Sequence, residues 1–259
     1  MKYYAEYQDK RVALLSDTEA MSCKSLSIVA GSSCPGAVYG EGTICQGCYA
    51  QIGRYNCNNV MTAQWVRYMW LKENLRTVAG TWHIITQLAN AINAQCKNGY
   101  FRFFDSGDVF SVRMAYVIQR VCELTPTVKH WLPTRSWHLE GPLGEAVKRL
   151  GQVKNLTVRP SALYVNQAAP LVEGLARGSG VVDPTVVKFM ADLICPKSKK
   201  GGSCESNGCR SCWDRPTKSV YYYQHSIGGR HNKLVNVTVG KIPVLRAKYK
   251  EQFAGRGTV

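Results

Sequence analysis

A chain of 259 residues with 45% hydrophobic and 19% charged residues can bury a core without covalent staples and is too apolar to be disordered. No apolar run reaches the ~18 residues of a membrane helix, and the first ten residues lack a signal peptide's apolar stretch, so a cytoplasmic protein without membrane contact is expected. Lys plus Arg number 33 against 17 Asp plus Glu, a net charge of +16, which favours an anionic partner, most commonly nucleic acid.

That charge is uneven. Residues 1–57 carry five basic and five acidic side chains, whereas residues 230–259 carry seven basic and one acidic. Along the chain, residues 31–49 are rich in Gly, Ser and Cys and are expected to form an ordered loop. Asn58 and Asn59 can cap a helix running from about Val60 to Ala79. Thr81 can cap the next, in which Ile85, Leu88, Ala89, Ile92 and Cys96 share one face; Asn98-Gly99 stops it. The aromatic run Tyr100–Phe104 predicts a strand ending in Asp105-Ser106-Gly107-Asp108. A helix then places Phe110, Met114, Val117, Ile118 and Val121 inward. Strand-like Val128–Leu132 ends in Thr134-Arg135-Ser136, a helix follows near Leu143–Leu150, and Asn155–Arg159 is a further strand.

Strand, loop and helix thus alternate between residues 100 and 180, which predicts an α/β fold with parallel strands. A full or partial (β/α) barrel, TIM-barrel-like, is the favoured form, with its chemistry in the loops at the carboxyl ends of the strands. Residues 1–194 form the barrel-like domain in this reading. Residues 195–259 form a cysteine-rich C-terminal extension with the basic tail, and within them Val220–His225 returns to strand composition.

Eleven cysteines in a reducing compartment suggest metal rather than disulfides. Seven fall in two loops: Cys34-x10-Cys45-x2-Cys48, and Cys195-x8-Cys204-x4-Cys209-x2-Cys212. Cys-x2-Cys pairs let two thiolates bind one centre, and Gly47 and Gly208 let the backbone wrap it. The Cys204–Cys212 spacing matches a plant-ferredoxin run. Soft thiolates without His favour iron–sulfur, zinc or Cu(I). Three arrangements follow: iron–sulfur clusters in each region, [4Fe–4S] or one larger cluster shared by both; a zinc ribbon joining Cys45-x2-Cys48 to Cys209-x2-Cys212; or free thiols. Cys96 and Cys122 fall on apolar helix faces and are expected in the core. Cys23 and Cys57 flank the first loop as buried thiols or extra ligands.

Several stretches resemble the gene product 88 family of bacteriophage proteins. They are Lys24-Ser25-Leu26-Ser27 with Cys34-Pro35-Gly36-Ala37; Cys45-x2-Cys48-Tyr49-Ala50 with Gly53-x-Tyr55; Phe101-Arg102-Phe103 through Ser106-Gly107-Asp108; and Cys195-Pro196 through Cys209-x2-Cys212-Trp213, then Tyr223 to His225. The resemblance implies a phage-encoded protein of the infected host's cytoplasm. A more distant likeness is to radical S-adenosylmethionine enzymes, which carry a three-cysteine loop after the first barrel strand and an acidic turn after the second. Cys34, Cys45 and Cys48 correspond to that loop, with an x10 spacing in place of x3. Ser106-Gly107-Asp108 corresponds to the turn, and the C-terminal cysteines to an auxiliary-cluster region. The likeness implies S-adenosylmethionine as a cosubstrate.

Asp108 can anchor a ligand amine or cap the following helix. Arg135 can grip a carboxylate or phosphate, or pair with Asp108. His225 is expected to be structural. The expected functions are an iron–sulfur enzyme or redox protein acting on a small molecule or redox partner, an iron–sulfur protein with a structural role, or a zinc protein binding nucleic acid through the tail and exposed aromatics such as Trp213 and Tyr221.

Overall fold

Two hydrogen-bonded sheets follow an N-terminal hairpin in the computed structural model, which describes residues 3–18, 20–185 and 193–224. His225 and the basic tail lie outside the described residues. The hairpin pairs β1 (Tyr4–Tyr7) with β2 (Lys10–Ala13). The main sheet has the order β3 (Ser16–Thr18), β4 (Cys23–Leu26), β5 (Tyr100–Phe103), β6 (Lys129–Thr134) and β7 (Leu156–Pro160). β4 to β7 run parallel in chain order and β3 is antiparallel at the edge. A second parallel sheet has the order β8 (Ser179–Val182), β10 (Val220–Tyr223), β9 (Leu193–Ile194), and a Ser161–Ser179 bridge links it to the end of β7. The fold is mixed α/β, as expected, but the described strands do not close into a barrel.

Four helices cover one face of the main sheet. α1 (Asn58–Asn74) and α2 (Val78–Gln95) are separate where the sequence suggested one helix through Ala79. Thr77, not Thr81, caps α2 by accepting from the Gly80 N–H at 3.0 Å. Gly80 is required there, since a Cβ would stand 2.2 Å from the Asn74 carbonyl oxygen. α3 (Val112–Leu124) is capped by Ser111, which accepts from Met114 N–H at 3.1 Å; the expected cap, Asp108, lies too early and serves otherwise. α4 (Pro142–Arg149) begins with proline, whose missing N–H costs nothing in a first turn.

Strand alternation sorts the two faces. Phe101, Phe103, Leu132, Leu156 and Val158 enter the core with Ile85, Leu88 and Ile92 of α2 and Met114, Val117 and Ile118 of α3. Cys96 and Cys122 belong to this core. The opposite face is buried yet polar, carrying Ser25, Arg102, Thr157 and Arg159 beside Trp131. It is covered by the cysteine-rich segment, where Cys195, Cys212, Trp213 and Val220 pack with Cys23 and Trp131. Trp213 is 4% exposed and Tyr221 3%, so neither is a free platform for bases. Their rings are consumed by packing: Trp213 against Tyr100 and Trp131, and Tyr221 by accepting the Ala169 N–H at its hydroxyl.

Candidate metal centre

The first cysteine loop leaves β4 and travels over the carboxyl ends of the neighbouring strands. At the β5 end, Ile28 N–H donates to the Ser106 carbonyl at 3.0 Å, and Gly107, at φ +93°, fits because a Cβ would stand 2.3 Å from Ile28. At the β6 end, Gly36 lies on the chain, where a Cβ would come within 2.5 Å of the Arg135 carbonyl, and the Gly36 carbonyl contacts His138 Nε2 at 3.0 Å. Beyond β7, Thr43 bridges Tyr164, with Ile44 N–H donating to Leu163 O and Val165 N–H to Gly42 O, each at 2.9 Å. The loop then returns to the β5 end, where the Tyr49 hydroxyl donates to the Asp105 carbonyl at 2.6 Å.

This path brings Cys34, Cys45 and Cys48 together. Burial pushes the Cys34 thiol up to about 12, with Asp108, Cys48 and Cys45 adding to the shift. Burial also raises Cys48, against the pull of the Ala50 N–H and the Arg135 guanidinium. Such thiols stay protonated until a cation draws them into thiolate form.

Asp108, 5% exposed, receives three hydrogen bonds: Val109 N–H at 2.7 Å and Thr134 Oγ1 at 2.6 Å to Oδ1, and Arg135 N–H at 2.8 Å to Oδ2. Burial raises its pKa, and these donors pull it back. The carboxylate thus pins the ends of β5 and β6 together. The Arg135 Nε donates to the Ala162 carbonyl at 3.2 Å rather than forming an ion pair with Asp108. Ser106 is 2% exposed, and its hydroxyl has no hydrogen-bond partner among the described residues.

The second region is held to the polar face of the sheet. Arg159, fully buried, donates to the carbonyls of Cys212 (3.2 Å), Ser211 (2.7 Å), Asp214 (2.6 Å) and Arg177 (2.6 Å). Thr157 Oγ1 donates to Trp213 O, and Trp213 Nε1 to Phe101 O, both at 2.8 Å. At the far edge, Cys204 N–H donates to Ala20 O at 2.9 Å and Arg210 to Met21 O at 2.6 Å. Cys195, Cys204, Cys209 and Cys212 line one pocket with Pro196, Trp213 and Val220. Burial raises the Cys195 thiol, and pushes Cys204 up to about 11 and Cys212 to about 12. Three cations oppose this: Lys197 near Cys195, Arg210 near Cys204 and Arg159 near Cys212. Cys23 is buried beside this set, its sulfur 3.2 Å from Thr18 Oγ1, whereas Cys57 is exposed.

All eleven cysteines are free thiols. Each cysteine set gathers on its own, and the structure does not bring Cys45-x2-Cys48 onto Cys209-x2-Cys212. Among the described residues no three His, Cys, Asp or Glu side chains converge as one bound metal ion requires. A donor set of thiols without His or carboxylate is one that iron–sulfur clusters, zinc and Cu(I) all accept.

Between the two regions lies a network that the sequence did not reveal. Arg102, 6% exposed, pairs with Asp105 Oδ1 at 2.8 Å and donates to Tyr49 Oη and Met21 Sδ, each at 3.1 Å. Its guanidinium stacks 4.6 Å from the centre of the Trp131 ring, and Tyr55 donates to Asp105 Oδ2. Burial works against the Arg102 charge, but Tyr49 and Asp105 outweigh it and raise its pKa.

The fold and its buried thiols define a mixed α/β protein with two cysteine sites, one at the carboxyl ends of its parallel strands and one beneath its polar face. The profile of the gene product 88 family matches residues 4–215, and the chain belongs to that phage family. No curated protein and no solved structure matches it. Among the described residues, no helix is long and apolar enough to cross a membrane.

Proposed function

We propose that this chain is a phage-encoded iron–sulfur protein. The reading is carried by one observation: Cys195, Cys204, Cys209 and Cys212, separated in sequence by up to 17 positions, line a single pocket without a His, Asp or Glu among its lining residues. Four thiolates there would complete a cluster's ligand set, and the cations Lys197, Arg210 and Arg159 would balance its negative charge. Cys34, Cys45 and Cys48 would hold a second cluster and leave one iron open. A [4Fe–4S] cluster in each region accords better with the separate gathering of the two sets than one shared assembly.

The open position would face the Ser106 hydroxyl, Asp108 and Arg135, at the edge of parallel strands where ligands of α/β proteins bind. A radical-S-adenosylmethionine-like enzyme is the finer form of this proposal, with S-adenosylmethionine as cosubstrate. When bound, a cluster of that kind supplies one-electron chemistry. In that form the Asp108 carboxylate would have to exchange its Thr134 or Arg135 donor for the cosubstrate's amine, and the Arg135 guanidinium, whose Nε stays on the Ala162 carbonyl, would offer its terminal nitrogens to the cosubstrate's carboxylate. The chain-order run of β4 to β7 is compatible with an incomplete barrel of that type. Nucleic-acid binding, and a zinc-bound form of it, rest on the charge of residues 230–259 alone.

Protein purified without oxygen should be brown and contain iron and acid-labile sulfide. A colourless protein with stoichiometric zinc would overturn the proposal. If the finer form holds, S-adenosylmethionine perturbs the EPR signal of the reduced protein, and Asp108→Ala weakens that perturbation; an unchanged signal from an intact, reduced centre rejects it.

A further inference from the structure

The two cysteine regions are joined by an unbroken series of short contacts. The second region grips the turn between β3 and β4 through Cys204 N–H on Ala20 O (2.9 Å) and Arg210 on Met21 O (2.6 Å). Met21 presents its sulfur to Arg102 at 3.1 Å. The same guanidinium reaches Tyr49 Oη at 3.1 Å and Asp105 at 2.8 Å. Tyr49 is the neighbour of Cys48. Asp105 is held on its other oxygen by Tyr55, and its carbonyl accepts from Tyr49. Trp131, stacked on Arg102, packs in the same cluster as Cys195 and Cys212.

We infer that Arg102 is a positioning residue coupling the two sites: filling the Cys195/Cys204/Cys209/Cys212 site orders the Tyr49–Tyr55 stretch of the first loop, and the two sites load cooperatively. This inference rests on the metal-site reading above. The physical reason is the division of labour at the guanidinium. A planar cation with fixed donor directions cannot follow Met21 and Tyr49 independently, so a second region that fastens Ala20–Met21 also fixes the orientation in which Arg102 meets Tyr49 and Asp105. Arg159 and Trp213 anchor residues 211–214 without ligation, whereas residues 196–210 have few apolar side chains, so in this inference ligation is what tightens the grip of Cys204 and Arg210 on Ala20 and Met21. By linkage, the first site must favour the second by the same factor.

The test uses the full chain with Cys45→Ser and Cys48→Ser, whose first site cannot load. Iron and sulfide are added without oxygen, and hydrogen exchange is followed in residues 49–56. Loading the second site should slow exchange there about tenfold, a typical coupling between sites. Arg102→Met should abolish the slowing. Met21→Leu with Tyr49→Phe, a milder change that spares the Arg102–Asp105 pair, should reduce it while iron uptake by the second site stays normal. Exchange that ignores loading, or a slowing that survives the Met21→Leu/Tyr49→Phe change, overturns the coupling and leaves the metal reading intact. A chain that takes up no iron overturns both.

Discussion

Arg159 offers the sharpest test of how the cysteine-rich segment is held. It is fully buried and gives four hydrogen bonds to backbone carbonyls, three of them in residues 211–214. Arg159→Met keeps the aliphatic bulk and removes every one of these bonds. Hydrogen bonds from a charged donor contribute about 1.5–3 kcal/mol each, while relieving a buried cation of its desolvation cost returns part of the sum. The expected net loss is about 3–5 kcal/mol, a large share of a typical folding stability of about 5–15 kcal/mol. Urea unfolding of the metal-free, reduced chain, followed by tryptophan fluorescence, should show it. With a slope of about 2 kcal/mol per molar, the midpoint falls by about 1.5–2.5 M. Limited proteolysis should cut first within residues 196–214. A midpoint within 0.5 M of the wild type (about 1 kcal/mol on that slope), together with an unchanged cleavage pattern, would refute the view that Arg159 anchors this segment.

Two further outcomes are expected. His130 is fully buried, contacts Thr125 Oγ1 at 2.7 Å through Nε2 and stacks on Phe103; burial lowers its pKa from 6.5 to about 3. The unfolded chain therefore takes up this proton first, so stability is full above pH 6.5 and falls as the pH drops below it, by up to about 1.4 kcal/mol per pH unit. His130→Gln should remove that slope, and parallel stability curves for the two proteins between pH 6.5 and 5 would contradict it. Gly36→Ala forces a Cβ to within 2.5 Å of the Arg135 backbone and should cost about 1–3 kcal/mol. With one site disabled at a time it should lower metal uptake by the first site and leave the second unchanged, as iron analysis in the Cys209→Ser/Cys212→Ser background against the Cys45→Ser/Cys48→Ser background can decide.

What was legible in the sequence is what repeats locally. The inner face of α2 shows through Ile85, Leu88 and Ile92, and β5 through alternating aromatics, because each pattern is written within a few residues. Both cysteine sets were visible as spacings. Their setting was not, since it depends on distant partners: Trp213 Nε1 donates to Phe101, 112 positions away, and Arg159 to carbonyls 52 to 55 positions on. Arg102 resembles an outward-facing strand residue until the C-terminal segment is folded over that face. The cap of α3 is not decided locally. Asp108 and Ser111 are both good capping residues, and only the tertiary demand of Thr134 and Arg135 for the Asp108 carboxylate leaves the cap to Ser111.

The course of the first loop gives its cysteine spacing a meaning of its own. Cys34 is followed at once by the Gly36 contact over β6, and Thr43, two residues before Cys45, is fixed to Tyr164 beyond β7. The ten residues between the thiols therefore measure a sideways journey across strand ends about 4.8 Å apart, rather than slack in a metal-binding turn. The two ends of that journey are fixed, and its middle is an exposed turn in which Gly40 O accepts from Thr43 and Gly42 O from the Val165 N–H, while a Cβ on Gly40 or Gly42 would touch nothing. Length variation belongs at the exposed turn around Gly40 and Glu41, before the fixed contact of Gly42 with Val165. Residues 34–37 and 43–48, in contrast, must keep step with the sheet beneath them. A search for this site in other chains should therefore fix the strand ends and let the spacer vary.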